Sequence, residues 1–380
     1  MAFALGGRCN QSRQLFVVIV RSHHPHAVHI IGSIGTGPSR RRIPFMKGSK
    51  LKPFSALLGV FLVGALLGFM CVRIWPASSK LPVPVEVRLN TTPQYPLIDP
   101  LIFTETDQSL FPELNPLDKT IDSYVAAVEA DRDASSVSVY FRDLNTGHWT
   151  GTNEDEIYEP SSMLKVAVMI AYLRDSIQDK TILTKKLYYP GTDTSGQYYV
   201  PTDSVPAGYY SAQDLIKYMI VNSDNTAMNV LIKNNSDQAL AVYHDFKLPT
   251  PPSSEVVDFM TADSYSTIFR TLYNASYLLR SGSEQALELL TKTTFTRGLV
   301  AGVPTGTVVA HKFGEHTYIQ QDGTVVNREL HDCGIVYYPD KPYLLCVMTK
   351  GQDFPRLESV ISGISKVVYG YIDAATQKGK

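Results

Sequence analysis

Residues 53–72, PFSALLGVFLVGALLGFMCV, carry no charge and stand between Lys52 and Arg73. A helix needs about 20 apolar residues to cross the hydrocarbon core of a bilayer, and this run has that length. The basic side of such a helix stays cytoplasmic. No Asp or Glu precedes Glu86, whereas Arg8, Arg13, Arg21, Arg40, Arg41, Arg42, Lys47, Lys50 and Lys52 crowd the first 52 residues. The chain is therefore predicted to pass a cell membrane once, at 53–73. Residues 1–52 would be a basic cytoplasmic tail, and the large remainder would lie outside. The alternative is a cleaved signal peptide, whose apolar region usually runs about 7–15 residues, shorter than this one. A lipid on Cys71 is disfavoured because Met70 is too large for the position before it.

Residues 1–45 show little periodicity. His23, His24, His26 and His29 cluster there, with no second ligand set to make a metal site. Met46 opens MKGSKLKPF, which already reads as the start of an anchored protein. Residues 1–45 are read as an over-extended gene start or a disordered tail. The formal net charge of −1 gives no reason to expect nucleic acid. Prolines at 76, 82, 84, 93, 96, 100, 112 and 116 mark 74–118 as an extended linker.

A folded domain is predicted over 119–375. Ile121, Tyr124, Val125 and Val128 recur at helical spacing. Residues 137–144 read as a strand that returns through Asn145-Thr146-Gly147. Residues 334–338 and 343–349 form a hairpin, and a last helix carries apolar positions 357, 360, 361, 364, 367, 368, 371 and 372. Strands at both ends with helices between them predict an α+β fold. One antiparallel sheet would carry the terminal helices on one face, with a helical lobe beside it. Pairing Tyr338 with Tyr343 would make Cys333 and Cys346 diagonal neighbours, a poor match to disulfide geometry, so free thiols are predicted.

Ser162 opens a helix, with Pro160 just before it and Ser161 as the expected cap. The helix continues as MLKVAVMIAYL, apolar on every side, which marks it as buried. Lys165 is the single charge between Pro160 and Leu173, and positions i and i+3 share a face. A desolvated lysine has a lowered pKa, and a neutral amine can accept the proton of a serine hydroxyl. Further on, Ser211 and Asp214 form a capping box before LIKYMIV, and Ser223-Asp224-Asn225 interrupts the helical run. His311-Lys312-Phe313-Gly314 then follows a strand-like stretch at 307–310. Each motif is weak alone; Ser49 and Lys52 repeat the first by chance.

In this order the three motifs resemble S-x-x-K, S-D-N and K-x-G of class A β-lactamases and their penicillin-binding relatives, over roughly residues 119–375. The resemblance implies a β-lactamase/transpeptidase-like fold with the active site between sheet and helical lobe. It implies Ser162 as nucleophile, Lys165 as base, and Ser223 as proton relay to the leaving group. Asn225 would hold the substrate amide and Lys165, and Asp224 would support the loop. Lys312 would present a positive charge to a substrate carboxylate. Gly314 would let the backbone approach the substrate, and the N–H groups of Ser162 and Glu315 would form the oxyanion hole. His311 reads as a supporting core residue.

Two departures stand out. Phe313 replaces the usual Thr or Ser, whose hydroxyl helps bind a carboxylate. The stretch 246–261 is short for the loop that carries the deacylating Glu and lacks its pattern; Glu255 and Asp258 are its only carboxylates. Tyr198 and Tyr199 fall where the family lines the cleft with an aromatic, and Arg328 and His331 are weaker carboxylate-binding candidates. No zinc signature or phosphate loop occurs, so no metal or cofactor is expected. The partners implied are a small-molecule β-lactam or a cell-wall peptide. Three functions remain: a serine β-lactam hydrolase, a penicillin-binding D-alanyl-D-alanine-type peptidase, and a non-catalytic cell-wall binding module.

Overall fold

Alternation of buried residues builds the centre of the molecule. The computed structural model describes residues 87–89, 91–103, 112–201, 203–235, 238–250 and 257–378. Five antiparallel strands form its main sheet: β1 (Ser136–Asp143), β2 (Trp149–Thr152), β3 (Val309–Ile319), β4 (Val325–Val336) and β5 (Tyr343–Gly351). Their spatial order is β2-β1-β5-β4-β3, which leaves β3 at an edge. Successive strand residues point to opposite faces. Val137, Val139 and Phe141 accordingly join one buried cluster, and Tyr140 joins another.

The first cluster lies between the sheet and two helices, α1 (Asn115–Ala130) and, near the carboxyl end, α8 (Phe354–Lys378). Leu117, Ile121, Val125 and Val128 of α1 are buried there, as are Leu357, Val360, Ile361, Ile364, Val368 and Ile372 of α8. The second cluster holds the helical lobe: α2 (Lys165–Asp175), α3 (Ala212–Val221), α4 (Asn225–Asn234), α5 (Gln238–Asp245), α6 (Ala262–Tyr273) and α7 (Arg280–Leu290). Helix α2 is buried at every position from Lys165 to Leu173, as its unbroken apolar run predicts. This is the α+β arrangement expected from the order of the elements, with the terminal helices on one face.

The hairpin register differs from expectation. Val336, not Tyr338, pairs with Tyr343, so Cys333 stands directly opposite Cys346. Their Cα atoms are 4.0 Å apart and the sulfurs are bonded as a disulfide. The predicted free thiols are therefore corrected, and turn length is the cause. Pro342 has no N–H for the ladder, Asp340 takes a left-handed φ of 59°, and Tyr337 donates its N–H to Val308 instead. The connection is two residues longer at its start than assumed, which slides the cysteines into register.

Part of the stretch read as a linker is folded. Residues Val87–Arg88 pair with Leu101–Phe103. Arg88 Nη1 donates to Asp99 O and to Asn274 Oδ1, each at 2.8 Å, and Ile98 is 1% exposed. The predicted anchor at 53–73 and the tail before it lie outside the described residues. Among the described residues, no helix is long and apolar enough to cross a membrane.

Candidate active site

Ser162 sits in a tight turn rather than at the cap of an α-helix. Residues Ser161–Leu164 form a 3-10 turn that feeds straight into α2. In such a turn, residues i and i+3 eclipse, so Lys165 lies directly alongside Ser162. The Lys165 Nζ to Ser162 Oγ separation is 2.5 Å. Against expectation, Pro160 and not Ser161 stands at the cap position, and no side chain caps the turn. The Ser161 φ of 50° turns the chain, and its N–H is held at 3.0 Å by Glu159 Oε1.

Lys165 is fully buried. Its ammonium also meets Ser223 O at 2.9 Å, Ser223 Oγ at 3.3 Å and Asn225 Oδ1 at 2.6 Å. Burial lowers its pKa to about 7, with Asp224 and Glu315 pulling the other way. At neutral pH a large fraction of the amine is thus ready to accept a proton. The S-D-N loop is shaped for this contact. Ser223 has a left-handed φ of 55°, a conformation that non-glycine residues adopt at a cost. Asp224 caps α4 by accepting the Ala227 N–H at 2.8 Å and the Tyr189 hydroxyl at 2.5 Å. It supports the loop, as expected.

Lys312 reaches the same serine from β3. Its Nζ lies 2.9 Å from Ser223 Oγ and 2.9 Å from Phe313 O. It is fully buried, and burial with the neighbouring Lys165 charge pushes its pKa well down. Two lysine amines therefore converge on one hydroxyl. His311, beside it, is buried with Nδ1 2.8 Å from Asp332 Oδ1, a supporting role.

Gly314 is required by packing against the nucleophile turn. A Cβ there would lie 2.4 Å from Pro160 O and 3.1 Å from Met163 Cγ. Strand β3 thus presses on the start of the Ser162 turn, which brings Glu315 beside the cleft. The Glu315 side chain does something that sequence reasoning missed. Its Oε1 accepts the N–H groups of Tyr198 (2.8 Å) and Tyr199 (3.1 Å), and its Oε2 accepts the latter at 3.0 Å. Burial raises its pKa.

Phe313 is 2% exposed. Its ring stacks on Phe295 at 4.3 Å and meets Tyr199 edge-on at 5.1 Å. The neighbouring Lys312 Nζ lies 4.1 Å from the ring centre. The cleft itself has a volume of about 320 Å³, and Ser162, Lys165, Ser223, Asn225, Tyr198 and Glu315 all line it.

Several candidates do not meet the cleft lining. Asp258 is bound to Lys350 Nζ at 2.6 Å and to the Tyr318 hydroxyl at 2.7 Å, a structural pairing. Glu255 lies outside the described residues. His331 is buried between Glu159 O and Glu329, and Arg328 bonds to Gln352 O. Among the described residues, no group of three or more His, Cys, Asp or Glu is placed to hold a metal ion.

A family model described as a beta-lactamase enzyme family matches residues 117–372. A curated beta-lactamase from Streptomyces fradiae is 26% identical over 117 residues, which cover 30% of this chain and 38% of that relative's length. The fold is similar to that of PBP-A, solved as an acyl-enzyme complex with penicillin G in a variant form. That likeness has a TM-score of 0.57 at 20% identity, covering 69% of this chain and 97% of the other. A class A beta-lactamase from Mycobacterium abscessus gives 0.55 at 20% identity, covering 67% and 99%. At these identities the structural likeness speaks for the fold alone.

Proposed function

This chain belongs to the beta-lactamase enzyme family, and from that premise we propose that it is a serine acyl hydrolase that opens an amide, such as a β-lactam, through an acyl-enzyme at Ser162. The observation that carries this reading is the 2.5 Å contact between Ser162 Oγ and a buried lysine amine. Neutral Lys165 takes the proton of Ser162, whose oxygen attacks the carbonyl carbon. The oxyanion forms against the N–H groups of Ser162 and Glu315; such donors typically supply about 3–4 kcal/mol to the transition state. Ser223 passes a proton to the departing nitrogen, and Lys312 and Lys165 replenish it. Asn225 holds the substrate amide. Water then attacks the acyl carbon, the Ser162 ester breaks, and the serine regains its proton.

A second reading is a penicillin-binding peptidase acting on cell-wall peptides. One observation favours it. Both oxygens of Glu315, the carboxylate lining the cleft, are taken by backbone N–H groups. Among the described residues lining the cleft, no other carboxylate stands ready to activate the deacylating water. A binding module without catalysis would need neither the buried amine nor its contact with serine. We propose further that residues 53–73 anchor the chain in a cell membrane with its amino terminus inside, the alternative being a cleaved signal peptide. Membrane fractionation, with protease protection of residues 1–52, tests that part.

The deciding experiment is a time course of intact mass with a penicillin. A transient adduct with antibiotic consumed over many turnovers supports the hydrolase. A stoichiometric adduct that persists supports the peptidase. Ser162→Ala should carry no adduct, and labelling at another residue would overturn the nucleophile assignment.

A further inference from the structure

The cleft is bridged. Residues 195–199 leave the helical lobe and reach β3 on the sheet, passing beside Ser162 and Lys165, which line the same cavity. Three hydrogen bonds of 2.8–3.1 Å tie the backbone of Tyr198 and Tyr199 to the Glu315 carboxylate. Aromatic contacts complete the closure. Tyr198 stacks on Phe354 at 4.3 Å, and Tyr199 meets Phe313 and Phe295 edge-on. Arg297, held at 3.0 Å by Glu358, covers the Tyr198 ring at 4.9 Å.

The base of this loop is fixed to the S-D-N turn. Thr192 N–H donates to Val205 O, and the Tyr189 hydroxyl lies 2.9 Å from Thr192 Oγ1 and 2.5 Å from Asp224. Gly191 (φ 109°) stands at the base and Gly196 (φ 75°) within the tip, conformations that side chains resist. A Cβ on Gly196 would meet nothing within 4 Å. The tip therefore turns at Gly196 in open space, rests on aromatic rings, and is clamped at one carboxylate, Glu315.

We propose that Glu315 is a latch. Its carboxylate holds the aromatic loop 195–199 across the cleft and so sets which ligands reach Ser162. Charge-assisted bonds to backbone N–H groups are about twice as strong as neutral ones, so the latch depends on the ionised carboxylate. The ring of Tyr199 rests on Phe313, beside the buried Lys312 amine. A ligand carboxylate approaching that amine from the Tyr199 side must first displace the loop. The closed cleft accordingly favours slim acyl groups without an anionic substituent on this side. This inference deepens the acyl-hydrolase reading and rests on it for the ligand class alone.

The test compares the full chain with Glu315→Ala and Glu315→Gln by amide hydrogen exchange and by acylation with a penicillin. Both variants keep the backbone N–H of position 315. Exchange across 195–200 should speed up about tenfold in the alanine variant and about threefold in the glutamine variant, whose amide oxygen still accepts. Helix α2 should keep its protection in both, which reports an intact fold. The apparent dissociation constant for the penicillin should fall about tenfold in the alanine variant, by more than the limiting acylation rate changes. Unchanged exchange at 195–200 in Glu315→Ala overturns the latch. A change confined to the limiting rate also overturns it, since Glu315 would then act through the Lys165 charge. If no penicillin acylates any form, the acyl-hydrolase reading fails, and the exchange data still decide the latch.

Discussion

At the scale of single residues, the chemistry turns on how water is kept from Lys165. Its depressed pKa follows from burial, opposed by Asp224 and Glu315. The acylation rate should therefore rise with pH through about 7 and level off above 8, because the neutral amine is the active form. Stopped-flow acylation from pH 5.5 to 9 checks this; a rate independent of pH would remove Lys165 as the base. Lys165→Ala should slow acylation by roughly 10²–10⁴-fold while circular dichroism stays unchanged. This much was legible in the sequence, because an i, i+3 pair on an apolar helix leaves the lysine nowhere to go but beside the serine. Glu315 was legible only by its backbone. Nothing in a string of letters says that a carboxylate will meet amides of residues more than a hundred positions earlier. Phe313 was read as a lost ligand contact. The structure adds that its ring fills the core beside Phe295 and Tyr199. Phe313→Thr should therefore lower stability by about 3 kcal/mol without speeding acylation. A variant as stable as the parent in urea would show that the ring is not packed there.

At the scale of elements, strand β3 joins the two halves of the chemistry. It carries Lys312 toward Ser223, presses Gly314 on the Ser162 turn and offers Glu315 to the loop. Helix positions and the capping box at Ser211–Asp214 followed from the pattern of apolar and capping residues. Register did not, because a shift of two residues leaves every side chain on its expected face and only turn geometry distinguishes the two pairings. The disulfide is the consequence. It links residues 13 apart in sequence, so on loop-entropy grounds it stabilises by about 3 kcal/mol. Replacing both Cys333 and Cys346 by Ala should lower Tm by roughly 5–10 °C, read by calorimetry. An unchanged Tm would mean that the sulfurs are not bonded in the native chain.

At the scale of the whole molecule, the domain folds around two cores and buries both lysines of the site. Folding strips both ammonium groups of water, so each holds its proton less tightly folded than unfolded. Lys165 falls from 10.5 to about 7, and Lys312 falls well below 10.5. Between pH 7 and 10 the unfolded chain thus binds more protons at Lys165 than the folded one, and stability rises with pH at up to about 1.4 kcal/mol per unit from that group, with Lys312 acting in the same direction below 10.5. The acids Glu159 and Glu315 shift the other way, since burial raises both. Their extra stability belongs to low pH and is lost as pH climbs through their folded values. The tyrosines Tyr158, Tyr243, Tyr265 and Tyr343 are raised by burial too. They hold their protons more tightly folded, so stability declines once pH exceeds the ordinary tyrosine value near 10. The sum is a Tm that climbs from pH 7 to a maximum at about pH 9–10 and then drops. A double variant, Lys165→Met with Lys312→Met, should lose the climb and gain stability at pH 7, because a buried charge is replaced by an apolar chain of similar length. A wild-type Tm that is level or falling between pH 7 and 9 would mean that these amines keep their protons in the fold. Lys165 could then not serve as the base at neutral pH, and the acylation mechanism would have to be rebuilt around another group.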